Sequence, residues 1–325
     1  MATDGGTIDW LLDSDPALRW QVERNLAGAP PEVWQATRAR VATEGFGAAL
    51  LSKQDADGQW EGGAYFPGGT AFFDDPEAQL PGQPWTATTW TLKDLREWGV
   101  NASVLGDTAE KLAANSRWEY DDLPYWGGEV DVCINSFTLA TGAWLGADVS
   151  QLATWFREHR LSDGGWNCEA EEGRSTRSSF HSTLNALRGM LAYQQITGDT
   201  SLVETRHAGE EYLLQRRLLN RLSTGEPVGD FVHEFVYPNR HRYSALAALD
   251  YFREAALVDG RPPDPRMADA VQLVRDARQP DGTWLQGEPL AGRVWFHMDE
   301  AHEGEPSKWL TLIGTRVLDW WDGAR

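Results

Sequence analysis

Apolar residues recur along this chain at intervals of three and four positions, the spacing that places them on one face of an α-helix. Three amphipathic stretches, residues 33–54, 151–160 and 265–279, are each followed closely by the string Asp-Gly-x-Trp. Asp-Gly favours a tight turn, because Asp bonds its own downstream backbone and Gly accepts a positive φ. A tryptophan directly after such a turn can pack back over the helix pair. The pattern therefore predicts a repeated helical hairpin, with turns at Asp57, Asp163 and Asp281.

A second set of segments follows these turns and is rich in Ala, Ser, Thr and Gly. Small residues suit tightly packed inner helices, whereas segments such as residues 201–221 carry the charge of a solvent-facing layer. With an opening pair in residues 7–54, about six hairpins result. Six hairpins either form a solenoid or close into a ring, and we predict the ring: an all-α, α/α-toroid domain over residues 1–325. The inner helices are expected to begin near Trp85, Cys133, His181, Tyr243 and Trp309.

Composition narrows the class of protein. With 29 basic against 49 acidic residues, the net charge of −20 opposes binding to nucleic acid or to anionic membranes. No apolar run approaches the roughly 18 residues of a membrane-spanning helix, and the N-terminus lacks a secretory pattern. Only two cysteines are present, which excludes a disulfide scaffold and favours a cytoplasmic protein. The 17 tryptophans indicate an aromatic interior or cavity.

The stretch from Gln54 to Trp60 resembles the glutamine–tryptophan repeat of squalene and other class II terpene cyclases, and of protein prenyltransferase β subunits. Both groups are α/α toroids around an apolar funnel, so the resemblance implies that fold and a hydrophobic substrate. The Asp-x-Asp-Asp acid of class II cyclases is absent, which argues against cyclisation started by that acid. The aspartate pairs present are Asp74-Asp75 and Asp121-Asp122.

The resemblance to prenyltransferases also implies one zinc per chain. That family binds zinc through Asp-x-Cys at the start of one inner helix and His at the start of the next, which corresponds here to Asp131, Cys133 and His181. Registry supports the set independently, because Cys133 and His181 open consecutive inner helices whose axes should lie about 8–10 Å apart. Three protein ligands with an open position are typical of catalytic zinc. Cys168 is either a fourth ligand or a bystander, and ordinary packing remains the alternative for every one of these residues.

Two further groups of residues are candidates on weaker grounds. Titratable and hydroxyl groups near the last two inner helices are candidate acids or bases, with solvated loop residues as the alternative: His233, Tyr237, His241, Tyr243, His297 and Asp299. Aromatic residues, with one arginine, are candidate substrate contacts, with core packing as the alternative: Trp85, Trp90, Tyr125, Trp126, Trp309 and Arg177.

These observations predict a zinc-dependent enzyme, transferase- or cyclase-like, that acts on an isoprenoid or other hydrophobic small molecule. Two alternatives stay open: a metal-free relative of the terpene cyclases, and a non-catalytic binder or scaffold. The sequence gives no sign of the helical partner subunit that prenyltransferases require.

Overall fold

The computed structural model describes residues 5–74, 82–298 and 301–323. Of these residues 53% are helical, in thirteen α-helices and five short 3₁₀-helices, and there are two strands of two residues each. The prediction of an all-α protein is thereby confirmed. Within the described residues, none of the helices combines the length and the hydropathy needed to cross a bilayer.

The helices are α1 (Gly5–Leu12), α2 (Pro16–Asn25), α3 (Pro31–Arg40), α4 (Gly45–Leu51), α5 (Thr88–Glu97), α6 (Thr108–Asn115), α7 (Val132–Leu145), α8 (Ser150–Glu158), α9 (Phe180–Thr197), α10 (Val203–Gln215), α11 (Ala245–Asp259), α12 (Ala268–Asp276) and α13 (Lys308–Trp321). Strands β1 (Trp284–Leu285) and β2 (Pro306–Ser307) pair antiparallel.

Five helices begin where the small-residue segments predicted them. Helices α5, α7, α9, α11 and α13 begin at residues 88, 132, 180, 245 and 308, against expected positions 85, 133, 181, 243 and 309. Three of these starts have a local cause, because Ser179, Ser244 and Ser307 each accept a hydrogen bond from a backbone N–H in the first turn. The later start of α5 reflects Trp85, whose backbone N–H donates to the Arg293 carbonyl and holds that stretch extended.

Burial distinguishes α5 and α7 from α6, α8 and α12. Helix α7 buries residues around its whole circumference, and α5 does nearly the same. Helices α6, α8 and α12 each bury one face only. This alternation is what the inner and outer segment compositions predicted.

The described residues cluster into two compact units, each assembled from separate stretches of the chain. The first comprises residues 1–38, 211–290 and 298–325, and in it α11 packs against α12 and α13 while α13 also contacts α2. The second comprises residues 39–210 and 291–297, and in it α7 packs along α9 and against α5. A single domain over residues 1–325 stays a prediction.

The three Asp-Gly-x-Trp turns share one bonding pattern. Trp60, Trp166 and Trp284 are completely buried. Each indole Nε1 donates to a carbonyl ten residues earlier in the preceding helix, and each backbone N–H donates to a threonine Oγ1 in the following buried helix. The tryptophan thus ties two helices together, as the sequence predicted. The carbonyls are those of Leu50, Phe156 and Val274, at 2.8, 3.1 and 2.9 Å. The threonines are Thr88, Thr183 and Thr311, at 3.0, 3.1 and 3.1 Å.

Candidate metal centre

The start of α7 and the start of α9 place two predicted ligands at equal positions. Cys133 is the second residue of α7, and His181 is the second residue of α9. Asp131 is the N-cap of α7: its backbone is extended, and its carbonyl accepts a hydrogen bond from the Asn135 backbone N–H at 2.9 Å. Asn185 of α9 contacts Cys133 of α7, so the first turns of these two packed helices, and with them the three residues, lie at the same end of the pair.

The two cysteines come together at this end. Cys133 Sγ and Cys168 Sγ are 3.5 Å apart, and neither forms a disulfide. Cys168 lies just after the Trp166 turn, and its backbone N–H donates to Ser182 Oγ at 3.2 Å. The same Ser182 hydroxyl donates to Cys168 Sγ at 3.4 Å. Asn185, one turn after His181, donates from Nδ2 to Cys133 Sγ at 3.3 Å. Both sulfurs are therefore held by side chains of α9.

The pKa values of the two thiols are shifted in opposite directions. The hydrogen bond with Cys168, together with burial, raises the pKa of Cys133 well above its ordinary value. The hydrogen bond from Cys133 lowers the pKa of Cys168, with a further contribution from Ser182. Burial raises the pKa of Asp131, opposed by the charge of Arg174 and by a hydrogen bond with Cys168. Cys168 is thus the thiol that ionises first, because its thiolate has two donors.

The four predicted ligands do not converge completely. Within the described residues, no three of Asp131, Cys133, Cys168 and His181 bring ligand atoms within 4.8 Å of one another. The structure instead joins Cys168 to Cys133 and, by a hydrogen bond, to Asp131. His181, in the first turn of α9, is half-buried.

An aromatic cluster adjoins the thiol pair. Tyr65 lies close enough to Cys133 for the thiol charge to raise the tyrosine pKa, although burial is the larger cause. Its ring centroid is 5.0 Å from Trp90, which in turn lies 4.7 Å from Trp85 and 5.4 Å from Phe137. Phe137 follows Cys133 by one turn of α7. The candidate centre therefore has an apolar aromatic side within the second unit.

The remaining predicted substrate contacts are mostly packed. Tyr125 and Trp126 are buried, and their polar atoms pair with Thr89 Oγ1 and the Ala109 carbonyl respectively. Trp309 is buried in the first unit against Tyr237. Arg177 is exposed.

The predicted acids and bases are dispersed. His233 and His297 are exposed, and His241 is half-buried. The hydroxyl of Tyr243 donates to the Leu218 carbonyl at 2.8 Å, which is a structural role. Tyr237 stacks on Trp309, with ring centroids 4.2 Å apart. Asp299 lies outside the described residues.

A second pair of metal-type ligands lies on α10. His207 and Glu210 belong to a His/Glu/Asp group that could hold a metal ion, because its ligand atoms all lie within 4.8 Å of one another. The fully buried Arg206 already engages both, through Nη1 to Glu210 at 2.6 Å and Nη2 to His207 at 3.4 Å. An ion here would have to displace that guanidinium.

Sequence reasoning missed Asn185, Ser182 and Tyr65. Asn185 had a signal, because it lies four residues after His181 and therefore on the same face of α9. Tyr65 had none, because it comes from a loop whose path no periodicity reveals.

Comparison with protein-family models finds no match for this chain, and comparison with curated proteins finds none either. The resemblance to prenyltransferases and terpene cyclases accordingly stays a prediction that rests on the motifs.

Glu129 positions Asp131 and gives the centre a pH-dependent stability. The backbone N–H of Asp131 donates to Glu129 Oε2 at 2.7 Å, while burial raises the Glu129 pKa from 4.5 to about 7. Between these values the folded chain holds a proton that the unfolded chain has lost, so stability should fall as pH rises from 4.5 to 7. Because the side chain is partly exposed, we expect a loss of about 1–2 kcal/mol.

Urea unfolding of chelator-treated protein at pH 5 and pH 8 measures this effect. The Glu129→Gln variant should lose that part of the decline, whereas Glu110→Gln, an exposed position in α6, should retain it. Equal pH dependence in both variants would contradict the prediction.

Proposed function

We propose that this chain is a zinc-dependent enzyme that acts on an isoprenoid or similar hydrophobic small molecule, in an α/α toroid like those of prenyltransferase β subunits and terpene cyclases. The observation that carries the proposal is the separation of the two sulfurs, Cys133 Sγ and Cys168 Sγ, at 3.5 Å. The aromatic cluster beside them supports the substrate class.

The sulfur separation fits a shared metal ion. Tetrahedral zinc with Zn–S bonds of about 2.3 Å places two thiolates about 3.8 Å apart, whereas a disulfide requires about 2.05 Å. The observed 3.5 Å is close to the first value. Cys133, Cys168 and Asp131 would supply sulfur and oxygen ligands, and His181 is the nearest nitrogen ligand by helix position.

Zinc, when bound there, supplies a Lewis acid or lowers the pKa of a bound nucleophile. The protein's own side chains have separate tasks. Asn185 and Ser182 donate to the two sulfurs, which fixes their orientation and reduces their negative charge. With two thiolates and Asp131 the site would carry about one negative charge, so these donors matter for keeping the metal electrophilic.

The aromatic cluster would bind the hydrophobic substrate and exclude water from it. Tyr65, Trp85, Trp90 and Phe137 form an aromatic cluster next to the sulfurs, in which Trp85, Trp90 and Phe137 are buried. Such an aromatic environment suits a hydrocarbon chain and the positive charge that develops when a carbon–oxygen bond ionises. The toroid itself is supported by the alternation of fully buried helices with helices buried on one face.

Two measurements on the full-length protein test the proposal. Elemental analysis should find about one zinc per chain. Incubation with an isoprenoid diphosphate, followed by mass spectrometry, should show conversion by zinc-loaded but not by chelator-treated protein. Conversion without metal would favour a metal-free relative of the cyclases. An isoprenoid that is bound and recovered unchanged, by protein with or without zinc, would favour a binder.

A further inference from the structure

The first unit contains a buried polar cluster that the proposed function does not use. Helices α2, α11 and α13 contribute Gln21, Asp250, Arg253 and Arg316 to it. The side chains of Asp250, Arg253 and Arg316 are 16%, 12% and 14% exposed. Burial of two guanidinium groups this deep is costly unless their N–H groups find acceptors.

Arg316 is fully engaged within the cluster. Its Nε donates to Asp250 Oδ1 at 2.7 Å, and its Nη2 donates to Asp250 Oδ2. Its Nη1 donates to Gln21 Oε1 at 3.4 Å. The bidentate pair makes Arg316 an anchor that joins α13 to α11 and α2.

Arg253 is engaged on one side only. Its Nε donates to Asp250 Oδ1 at 3.3 Å. Among the residues that the structure describes, none accepts a hydrogen bond from its Nη1 or Nη2. Neither nitrogen is sealed from solvent, because the side chain keeps its 12% exposure. The end of the guanidinium that faces away from Asp250 therefore offers parallel N–H donors without acceptors.

Charge at the cluster also favours an added anion. Two guanidinium groups share the single carboxylate of Asp250 in direct contact, while the exposed carboxylate of Glu254 also acts on both and is partly screened by solvent. Burial lowers the pKa of Arg253, and the charge of Arg316 lowers it further, while Asp250 and the exposed Glu254 oppose the shift. One negative charge in contact with Arg253 would offset this repulsion.

We infer that Arg253 binds the carboxylate of a small organic ligand, through Nη1 and Nη2. Two coplanar N–H donors match the two oxygens of a carboxylate. A carboxylate adds one negative charge in contact with Arg253, whereas a phosphate dianion adds two beside the carboxylates of Asp250 and Glu254. The ligand class is thus a small monocarboxylate.

This inference does not depend on the metal centre, because its residues belong to the first unit. Titration calorimetry of the full-length protein with benzoate tests it, with benzamide as the neutral analogue and inorganic phosphate as the alternative anion. We expect saturable benzoate binding, and weaker binding of the other two. Arg253→Gln should weaken benzoate binding at least about tenfold, because both donors are lost.

The control is Arg217→Gln, an exposed arginine of the same unit that pairs with Asp269, and it should bind benzoate as the parent does. Arg253→Lys keeps the positive charge beside Asp250 but lacks the fork, so it should also bind benzoate more weakly. This variant preserves the test if the glutamine variant does not fold. Unchanged benzoate affinity in the folded Arg253 variants, undetectable benzoate binding, or tighter binding of phosphate would each overturn the inference.

Discussion

Replacing Cys133 by serine is expected to empty the proposed zinc centre. The hydroxyl of serine is a far poorer zinc ligand than a thiolate, and Cys168 would lose the neighbour that lies 3.5 Å from its sulfur. Structural zinc sites bind with about 10–16 kcal/mol of free energy, most of which depends on a full set of ligands. Elemental analysis after gel filtration should therefore find zinc in the parent protein and almost none in Cys133→Ser.

The matched control keeps both sulfurs. Ser182→Ala removes the hydroxyl that donates to Cys168 Sγ at 3.4 Å and accepts from the Cys168 backbone N–H at 3.2 Å. Loss of such an outer contact costs about 10–100-fold in affinity, which does not empty a tight site. His181→Ala then shows whether the histidine is a ligand, since a true ligand should behave like Cys133. A zinc content that is equal in Cys133→Ser and the parent would remove the thiol pair from the site.

Replacing Trp166 by alanine is expected to destabilise the fold strongly. The ring is completely buried, and its Nε1 and backbone N–H tie α8 to α9. Truncation of a buried tryptophan costs about 3–5 kcal/mol, a large share of the 5–15 kcal/mol that stabilises a typical domain. Urea unfolding followed by circular dichroism should show a midpoint far below that of the parent.

Two controls separate the contributions. Trp155, on α8, is half-buried and stacks on His159, so Trp155→Ala should cost much less. Thr183→Val keeps the Trp166 ring and removes the hydroxyl that accepts from the Trp166 backbone N–H at 3.1 Å and donates to its carbonyl at 3.4 Å, which should cost about 1–2 kcal/mol. If Trp155→Ala proved as destabilising as Trp166→Ala, the tryptophan after the turn would not be the tie between helices that we describe.

The all-α class was predictable because its signals are local. Helical spacing of apolar residues, serine caps and Asp-Gly turns act over a few residues, so they are visible in a single sequence. They located the starts of α7, α9 and α13 within one residue and the three buried tryptophans of the turns. The ring arrangement of the hairpins depends on contacts between distant segments, and it stays a proposal.

The candidate site was only partly predictable. Equal registry on adjacent helices identified Cys133 and His181, since that argument needs only helix geometry. Whether the loop with Cys168 folds back over α9 depends on the Trp166 turn and on the hydrogen bonds with Ser182, and the structure brings Cys168 to Cys133. It does not gather His181 with them, because helix position fixes a Cα and leaves the direction of the side chain to its neighbours.

The sequence by itself determined which segments are helical, where the turns lie and which residues can bear metal chemistry. Only the tertiary structure decided which of those residues meet, as Cys133 meets Cys168 and Arg253 meets Asp250. The physical reason is the distance along the chain over which each kind of interaction acts. Helix propensity, capping and turn geometry act between near neighbours in the chain, whereas a site forms from side chains whose approach depends on the packing of every segment between them.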